Sequence, residues 1–377
     1  MPVRQEENRM KKMKWLQISL FAAICILASG CQIKRELEVS ESDWNSTETI
    51  YGDVIKLENK AVDIDAATKA FYGLTKEEAE VYRLTELGAA YLYEKDKLEL
   101  RCAGSYLEFQ DNQDGAGTCY QLIYDGHFSN GMGLSYRLNE IWSDEVLDSG
   151  TKEDAIAACE PYVQACGYED ADLTIYTLTE EKLQQIGVKR KVSAPDPTAD
   201  IITYRDIDEA RKSGDTEKEE ALSEQMRSFT LGDVEWSKKD EAYWLAYRPK
   251  INGVVIDDVN IRLDIIYVPQ EERVVFAKLS DSLQESEFIE SKPLISKKQA
   301  IESVLLNLGA ESEEKIVVKD VSLVYCCDYG TEEDFRRTAW PCWRVDYELN
   351  LATQTEQEYD SGTMIINAVN GEKAVFW

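Results

Sequence analysis

The sequence contains a single histidine, His127, among its 377 residues. A catalytic serine or cysteine needs a nearby base to become nucleophilic, and histidine is the usual base. His127 has glycine, serine and asparagine neighbours, which predicts a surface turn and not a catalytic position. A zinc site built from several histidines is excluded because the chain has no second one.

Motifs that mark common enzyme families are also missing. The sequence has no Gly-x-Ser-x-Gly turn, no Gly-x-x-x-x-Gly-Lys loop and no Gly-x-Gly-x-x-Gly loop. It also lacks the Cys-x-x-Cys spacing that is typical of zinc sites and thioredoxin-like redox pairs. The segment Asp111–Gly115 is similar to a calcium loop, but Gln110 and Gln121 stand where an EF-hand requires acids. We therefore expect no catalytic residue, no cofactor and no metal site, with weak calcium binding by an acidic loop as the alternative.

Long hydrophobic runs are scarce, and the one present is Trp15–Leu27, which follows three lysines and is broken only by Gln17 and Ser19. As a helix, these thirteen residues would span about 20 Å, less than the roughly 30 Å hydrocarbon core of a bilayer. The run therefore predicts a secretion signal, with an uncleaved N-terminal anchor as the alternative.

The apolar run ends in Leu27-Ala28-Ser29-Gly30-Cys31, with small residues directly before the cysteine. This pattern resembles the lipobox of a bacterial lipoprotein, although Ala28 stands where leucine is commoner. The resemblance implies cleavage after Gly30 and a diacylglyceryl thioether on Cys31. Two long acyl chains hold a protein stably on a membrane where one would not.

The lipobox implies a protein anchored to the extracytoplasmic face of the cell membrane. Residues 1–30 are then the signal peptide, with translation starting at Met1, Met10 or Met13. Residues 31–60 are polar and show neither a helical nor a strand period, so we expect a lipid-anchored linker.

Positive charge is also in short supply, because 42 basic residues stand against 72 acidic ones for a net charge of −30. Such a balance argues against nucleic acid as a partner and against lying flat on anionic lipid. It indicates a solvated surface, with binding of cations or basic ligands as the alternative. Carboxylate pairs for a hydrolase stay open, because spacing in sequence does not give their separation in space.

Seven cysteines remain beyond the leader and the anchor, so they cannot all pair internally. Neighbouring strands could bring Cys102 to Cys119, and either Cys326 or Cys327 to Cys342. Neither pair is required by the sequence. The other two cysteines are Cys159 and Cys166.

Residues 61–150 predict an N-terminal α+β region. The helical pattern runs from Ala61 to Ala90 with a break at Gly73. Strand-like runs separated by Asp-Gly turns follow at Lys97–Arg101, Ser105–Gln110, Cys119–Tyr124 and Leu134–Leu138.

The remainder of the chain contains two copies of one unit, residues 151–285 and 290–377. Each copy begins with a hydroxyl N-cap, Thr151 or Ser296, which precedes an acceptor side chain by three residues. An amphipathic helix follows in both. The first copy alone carries a charged insert, residues 205–230, for which we expect an exposed helix or a mobile loop.

Strands of matching character follow each helix. Both copies have a β-rich run, an aromatic strand and a closing hairpin, and the second hairpin turns at Asn370-Gly371. In the first copy these are Leu173–Leu178, Tyr243–Tyr247, Ile265–Val268 and Val274–Ala277. In the second they are Ile316–Tyr325, Trp340–Tyr347, Met364–Ala368 and Ala374–Trp377.

A helix followed by a curled antiparallel sheet and an Asn-Gly hairpin resembles the PepSY domain and the PepSY-like domains of Gram-positive membrane-anchored regulators. The resemblance rests on Trp343-Arg344-Val345 and on Ile365–Glu372, and the first copy departs from it with Val268–Glu271 at its closing turn. It implies an α+β fold, a helix on an antiparallel sheet, and a non-enzymatic binding, inhibitory or regulatory role. The chain as a whole also resembles uncharacterised Gram-positive lipoproteins.

We therefore expect an envelope lipoprotein that binds a protein or peptide partner. One alternative is an envelope hydrolase that uses carboxylates. Another is a ligand-binding lipoprotein of a transport system, although the chain lacks the strand–helix alternation of a doubly wound binding protein. The aromatic residues of the strands, Trp244, Trp340 and Trp343 among them, fit a packed core better than a peptide or sugar groove.

Overall fold

The fold is known from a computed structural model. It describes residues 49–75, 81–84, 90–95, 98–111, 115–127, 145–186, 190–193, 204–227, 231–258, 260–308, 315–328, 336–352 and 357–374. The lipobox with Cys31 and the predicted strand Leu134–Leu138 lie outside these residues. No helix in the described part of the chain is both long and apolar enough to cross a bilayer.

The described helices and strands follow in chain order. The helices are α1 (Ile64–Tyr72), α2 (Ala116–His127), α3 (Lys152–Cys166), α4 (Glu180–Gln185), α5 (Tyr204–Ser213), α6 (Thr216–Arg227) and α7 (Lys297–Leu308). The first strands are β1 (Tyr51–Asn59), β2 (Val81–Leu84), β3 (Ala90–Lys95), β4 (Leu98–Ala103), β5 (Tyr106–Asp111), β6 (Asp172–Leu178), β7 (Arg190–Ser193), β8 (Leu231–Val234) and β9 (Ala242–Arg248). The others are β10 (Lys250–Ile251), β11 (Val254–Ile256), β12 (Leu263–Val268), β13 (Arg273–Leu279), β14 (Leu283–Pro293), β15 (Lys315–Cys327), β16 (Arg337–Ala352) and β17 (Gln357–Asn367).

These strands form two large sheets and one small one, which confirms the predicted α+β class. The eight-stranded sheet has the order β2-β3-β4-β5-β13-β12-β9-β6. The seven-stranded sheet has the order β10-β11-β15-β16-β1-β14, with β17 also paired to β16. Among the described strands only β11 and β15 pair in parallel.

The eight-stranded sheet is built from two meanders that meet at their last strands. The N-terminal half runs from α1 through β2 to β5, and the other half runs from α3 through β6, β9, β12 and β13. Strands β5 and β13 pair antiparallel, so the sheet crosses the boundary that we predicted at residue 150. Buried residues of α1 (Ala67, Phe71) and α3 (Ala155, Cys159) share one core on the same face.

The second predicted copy has the same order of elements. Helix α7 is followed by β15, β16 and β17, and a single bridge between Ile366 and Lys373 closes the meander. Ala300 and Val304 of α7 share a buried core with Trp343 and Val345 of β16. The structure therefore contains a helix-plus-meander unit three times, one more than the sequence indicated.

The predicted linker 31–60 is wrong for Tyr51–Asn59, which form β1. This strand pairs with β14 along its whole length and with β16 near its centre. Val54, Ile55 and Leu57 are buried as a result. The sequence shows no clear period because the pairing with β14 shifts register between Val54 and Ile55 and again between Lys56 and Leu57, which interrupts the alternation of buried and exposed side chains.

Two further secondary-structure predictions are wrong. The helix expected to continue to Ala90 is replaced by β2, which pairs with β3. The predicted strand Cys119–Tyr124 lies inside α2, where Tyr120 and Tyr124 pack on the sheet with helical spacing. A continuous apolar run does not distinguish a buried strand from a buried helix, which explains the error. His127 is the last residue of α2 and does not lie in a turn.

Other predictions are confirmed. Strands β4 and β5 lie where two of the four N-terminal strands were expected. The charged insert forms the helix pair α5 and α6, with mostly exposed side chains among those described. In the second hairpin, β17 ends at Asn367 as predicted, and the described part of the return segment forms a bridge from Lys373 to Ile366. The rest of the predicted return strand, residues 375–377, lies outside the described residues.

Candidate functional site

The predicted N-caps of α3 and α7 are both present. Thr151 Oγ1 accepts the Asp154 amide at 3.1 Å, and the Asp154 carboxylate accepts the Thr151 amide at 3.0 Å. The Thr151 amide and the Thr151 hydroxyl, which also donates to this carboxylate at 2.7 Å, lower the pKa of Asp154. Ser296 and Gln299 make the same reciprocal bonds at 3.3 and 2.9 Å. The caps fix where each unit begins.

In the first and second predicted copies, an aromatic side chain on the second strand is hydrogen-bonded to the backbone just before the helix. Tyr243 Oη donates to Gly150 O at 2.8 Å and accepts the Leu147 amide at 2.9 Å. Trp343 Nε1 donates to Ile295 O at 2.9 Å. Gly150 and Ile295 each directly precede a helix N-cap, so the contact recurs at the same place in both units. These aromatic residues are therefore core residues and do not line a ligand groove.

The remaining predicted aromatic residues also have structural partners. Trp244 is fully buried and its Nε1 donates to the Asp264 carboxylate at 2.8 Å, while Arg262 Nε contacts the same carboxylate at 2.7 Å. Trp340 Nε1 donates to Asp328 at 3.2 Å. The core interpretation is confirmed for Trp244 and Trp343, whereas Trp340 is only partly buried.

Charged side chains link the two large sheets. Asp257 lies in the excursion between β9 and β12, and it accepts Arg248 at 3.5 Å and Arg344 at 3.0 Å. Arg248 also binds Asp172 at 2.7 Å, and Arg344 binds Asp346 at 3.2 Å. Arg248 belongs to the first copy and Arg344 to the second, so one carboxylate joins the units. This network stabilises the junction and leaves its acids paired.

A second group of acids surrounds Arg337 on β16. Arg337 Nη1 lies 3.8 Å from Asp258, and Nη2 makes an ion pair with Asp281. Ser105 Oγ donates to Asp281 at 3.2 Å. Burial raises the pKa of Asp258, while the Asn260 amide and Arg337 oppose that rise. These groups again hold strands from different units together.

The closest approach to a carboxylate pair lies on β4 and β5. Burial raises the pKa of Glu99, and the neighbouring Glu108 adds to the rise. Glu108 is buried, accepts Tyr106 Oη at 2.6 Å and lies 3.5 Å from Arg101 and 3.7 Å from Lys278. Arg101 also makes an ion pair with Glu99. The positive charges of Arg101 and Lys278 therefore offset the negative charges of the two glutamates.

The cysteines fall into separate cores. Cys102 lies in the core under α1 and α3, whereas Cys119 lies in the core on the opposite face of that sheet, so the pairing that the sequence left open is not present. Cys326 and Cys342 share one small core, and Cys327 points into another. None of the seven forms a disulfide in this structure.

Strand β14 is the exposed feature that the sequence did not indicate. It forms one edge of the seven-stranded sheet and pairs only with β1 among the described strands. Phe288 is 55% exposed and Ile289 is 41% exposed. Glu285, Glu287 and Glu290 accompany them on the same strand, and all three are exposed. An eleven-residue edge strand with apolar and acidic side chains is a candidate binding surface, which we call the β14 edge.

Metal binding has no obvious location in this part of the molecule. No group of three or more histidine, cysteine, aspartate or glutamate side chains among the described residues is arranged to hold an ion.

Comparison with known proteins gives a fold likeness and no family. No family model matches the chain, and no curated protein matches it. A crystal structure of an uncharacterised protein from Eubacterium rectale is similar, with a TM-score of 0.56, 13% identity and 89% of each chain covered. At that identity the likeness shows the fold alone.

A second solved structure, the Bacillus megaterium YpeB C-terminal domain, is more distant. Its TM-score is 0.35 at 10% identity, over 83% of this chain and 96% of that domain. A TM-score of that size supports no conclusion about role.

Proposed function

We propose that this chain is a lipid-anchored protein of the extracytoplasmic face of the cell membrane, which binds a protein or peptide partner and does not catalyse a reaction. The leader and the lipobox-like Leu27–Cys31 support the anchor. Lipid on Cys31 attaches the protein to the membrane. The first described strand, β1, begins at Tyr51, twenty residues after that cysteine.

The observation that carries the proposed binding role is the β14 edge. The outer edge of a sheet offers unpaired amides and carbonyls, and an extended peptide can add to it as another strand. Phe288 and Ile289 supply exposed apolar contacts beside that edge. The glutamates of β14 disfavour pairing with a second copy of the same strand and favour a partner segment with basic side chains.

The state of the buried acids supports a role without catalysis. Asp257, Asp258 and Asp264 each lie next to an arginine. A general acid or base must reach its substrate, whereas these carboxylates are occupied by the contacts that hold strands together.

One observation favours the hydrolase alternative, namely the raised pKa of Glu99 next to Glu108. A raised carboxyl pKa is a common property of a general acid. The ion pairs of Arg101 with both glutamates weigh against it. Incubation of the protein with cell-wall glycans and peptides would distinguish the two: glycan or peptide cleavage that is lost in Glu99→Gln would favour the hydrolase.

The binding role is tested by site-specific photo-crosslinking in intact cells. A photoreactive phenylalanine analogue at Phe288 should crosslink to a specific envelope partner. The matched control is Leu306 on α7, which is 79% exposed but lies away from the edge strand. Adducts of the same size at both positions, or at neither, would contradict the proposal. Cys31→Ser should release the protein from the membrane fraction.

A further inference from the structure

Two of the buried thiols lie on neighbouring strands in positions that a covalent bond can join. In the pairing of β15 with β16, Val324 is opposite Cys342 and Cys326 is opposite Trp340. Cys326 and Cys342 are therefore diagonal neighbours on the same face of the sheet, since side chains alternate along a strand. Diagonal neighbours have Cα atoms about 7–8 Å apart, just beyond the roughly 4.4–6.8 Å of ordinary disulfides, so a bond requires β15 and β16 to approach by about 1 Å at this point.

The side chains of the two cysteines also contact each other. The thiols of Cys326 and Cys342 are hydrogen-bonded to each other, and this bond together with burial raises the pKa of Cys326. Cys326 is 3% exposed and Cys342 is 0% exposed. They share a small core with Val324, which excludes water from both sulfur atoms.

The adjacent cysteine is not an equivalent candidate. Cys327 follows Cys326 directly, so its side chain points to the opposite face and packs with Ile55 and Ala339. The sequence allowed either Cys326 or Cys327 to pair with Cys342. The structure favours Cys326, because its side chain shares a core with that of Cys342.

We propose that Cys326 and Cys342 form a disulfide that ties β15 to β16. A bond forms between the two Sγ atoms and both S–H bonds break. Two electrons and two protons pass to an oxidant of the disulfide class, a thiol–disulfide oxidoreductase or a small disulfide, whose S–S bond is reduced to two thiols. Extracytoplasmic compartments commonly supply such oxidants.

The position of the pair indicates what the bond would stabilise. Cys326 Sγ lies 3.9 Å from Asp257 O, and the Asp257 amide donates to Tyr325 O at 2.8 Å. Asp257 is the carboxylate that joins the first and second copies through Arg248 and Arg344. A disulfide between β15 and β16 would therefore stabilise the two strands that contact Asp257, and reduction of the disulfide should destabilise them.

The test uses the full chain, refolded in a buffer of reduced and oxidised glutathione, then denatured, alkylated and digested with trypsin. Cleavage after Arg337 separates Cys342 from Cys326 and Cys327. We expect a crosslinked peptide pair whose mass is lower by two hydrogen atoms than the sum of its thiol forms, with the other cysteines alkylated. Alkylation of both Cys326 and Cys342 after refolding would overturn the proposal.

Two variants identify which cysteine forms the bond with Cys342 and control for misfolding. Cys327→Ser should retain the crosslinked peptides, and Cys326→Ser should lose them. The thermal unfolding midpoint should fall on reduction in the wild type and in Cys327→Ser, and it should not change in Cys326→Ser. A crosslink that persists in Cys326→Ser, or equal shifts in both variants, would show that the wrong thiol was chosen.

Discussion

Replacement of Tyr243 by phenylalanine tests the contact that begins each unit. The substitution removes only a hydroxyl, which donates to Gly150 O and accepts the Leu147 amide at 2.8 and 2.9 Å. Tyr243 is buried, so both backbone groups lose a partner that water does not readily replace. At about 1–1.5 kcal/mol for each hydrogen bond, Tyr243→Phe should lower the free energy of unfolding by about 2–3 kcal/mol.

Tyr267→Phe is the matched control for this measurement. Tyr267 lies in the same core and its exposure is similarly low, and no hydrogen bond of its hydroxyl is seen among the described residues. Removal of the Tyr267 hydroxyl should change the free energy of unfolding by less than about 0.5 kcal/mol. Urea titrations of both variants, followed by tryptophan fluorescence, give the comparison. Equal destabilisation of the two variants would refute the role assigned to the Tyr243 hydroxyl.

Three further changes test other parts of the structure. Tyr168 is buried and its hydroxyl has no hydrogen-bond partner among the described residues, so Tyr168→Phe should stabilise the protein by about 1 kcal/mol in the same titration, and a loss would contradict this. Asp257→Asn should cost about 1–2 kcal/mol, because it removes the charge between Arg248 and Arg344, and the cost should shrink in high salt. The folded pKa of Asp154 is lowered, so the stability that Asp154 contributes is complete above its ordinary pKa of 3.8 and is lost as pH falls through the folded pKa. Asp154→Ala should therefore destabilise at neutral pH and lose its effect in acid; a constant effect across that range would be inconsistent with the cap.

Signals that lie within a few residues of each other could be read from the sequence. The reciprocal caps of Thr151 with Asp154 and of Ser296 with Gln299 depend on neighbours three positions apart. The strands and hairpin of the first copy also follow local patterns of apolar residues. These features establish the α+β class and the repeat without any knowledge of which elements meet in space.

Features that depend on distant partners could not be read in this way. Strand β1 forms because β14 lies beside it, and Lys56 is opposite Glu287, more than two hundred residues later. The third unit was missed because β2 and β3 lie in a region whose composition favours helix. Their strand structure comes from pairing with each other and with β4.

The candidate site fell between the predicted units and was missed for a related reason. The sequence of β14 contains Phe288 and Ile289 among glutamates, and apart from these two residues its centre is as polar as a linker. The two adjacent apolar residues were the available signal. Their exposure follows from the position of β14 at the edge of the sheet, which only the topology gives.

The central claim is that the β14 edge binds an extended segment of another protein. Hydrogen exchange of the full chain, measured with and without the partner identified by crosslinking, tests this claim most directly. Amides of Leu283–Pro293 should exchange more slowly in the complex, while those of α7 keep their rates. Protection confined to other strands, with β14 unchanged, would contradict the claim.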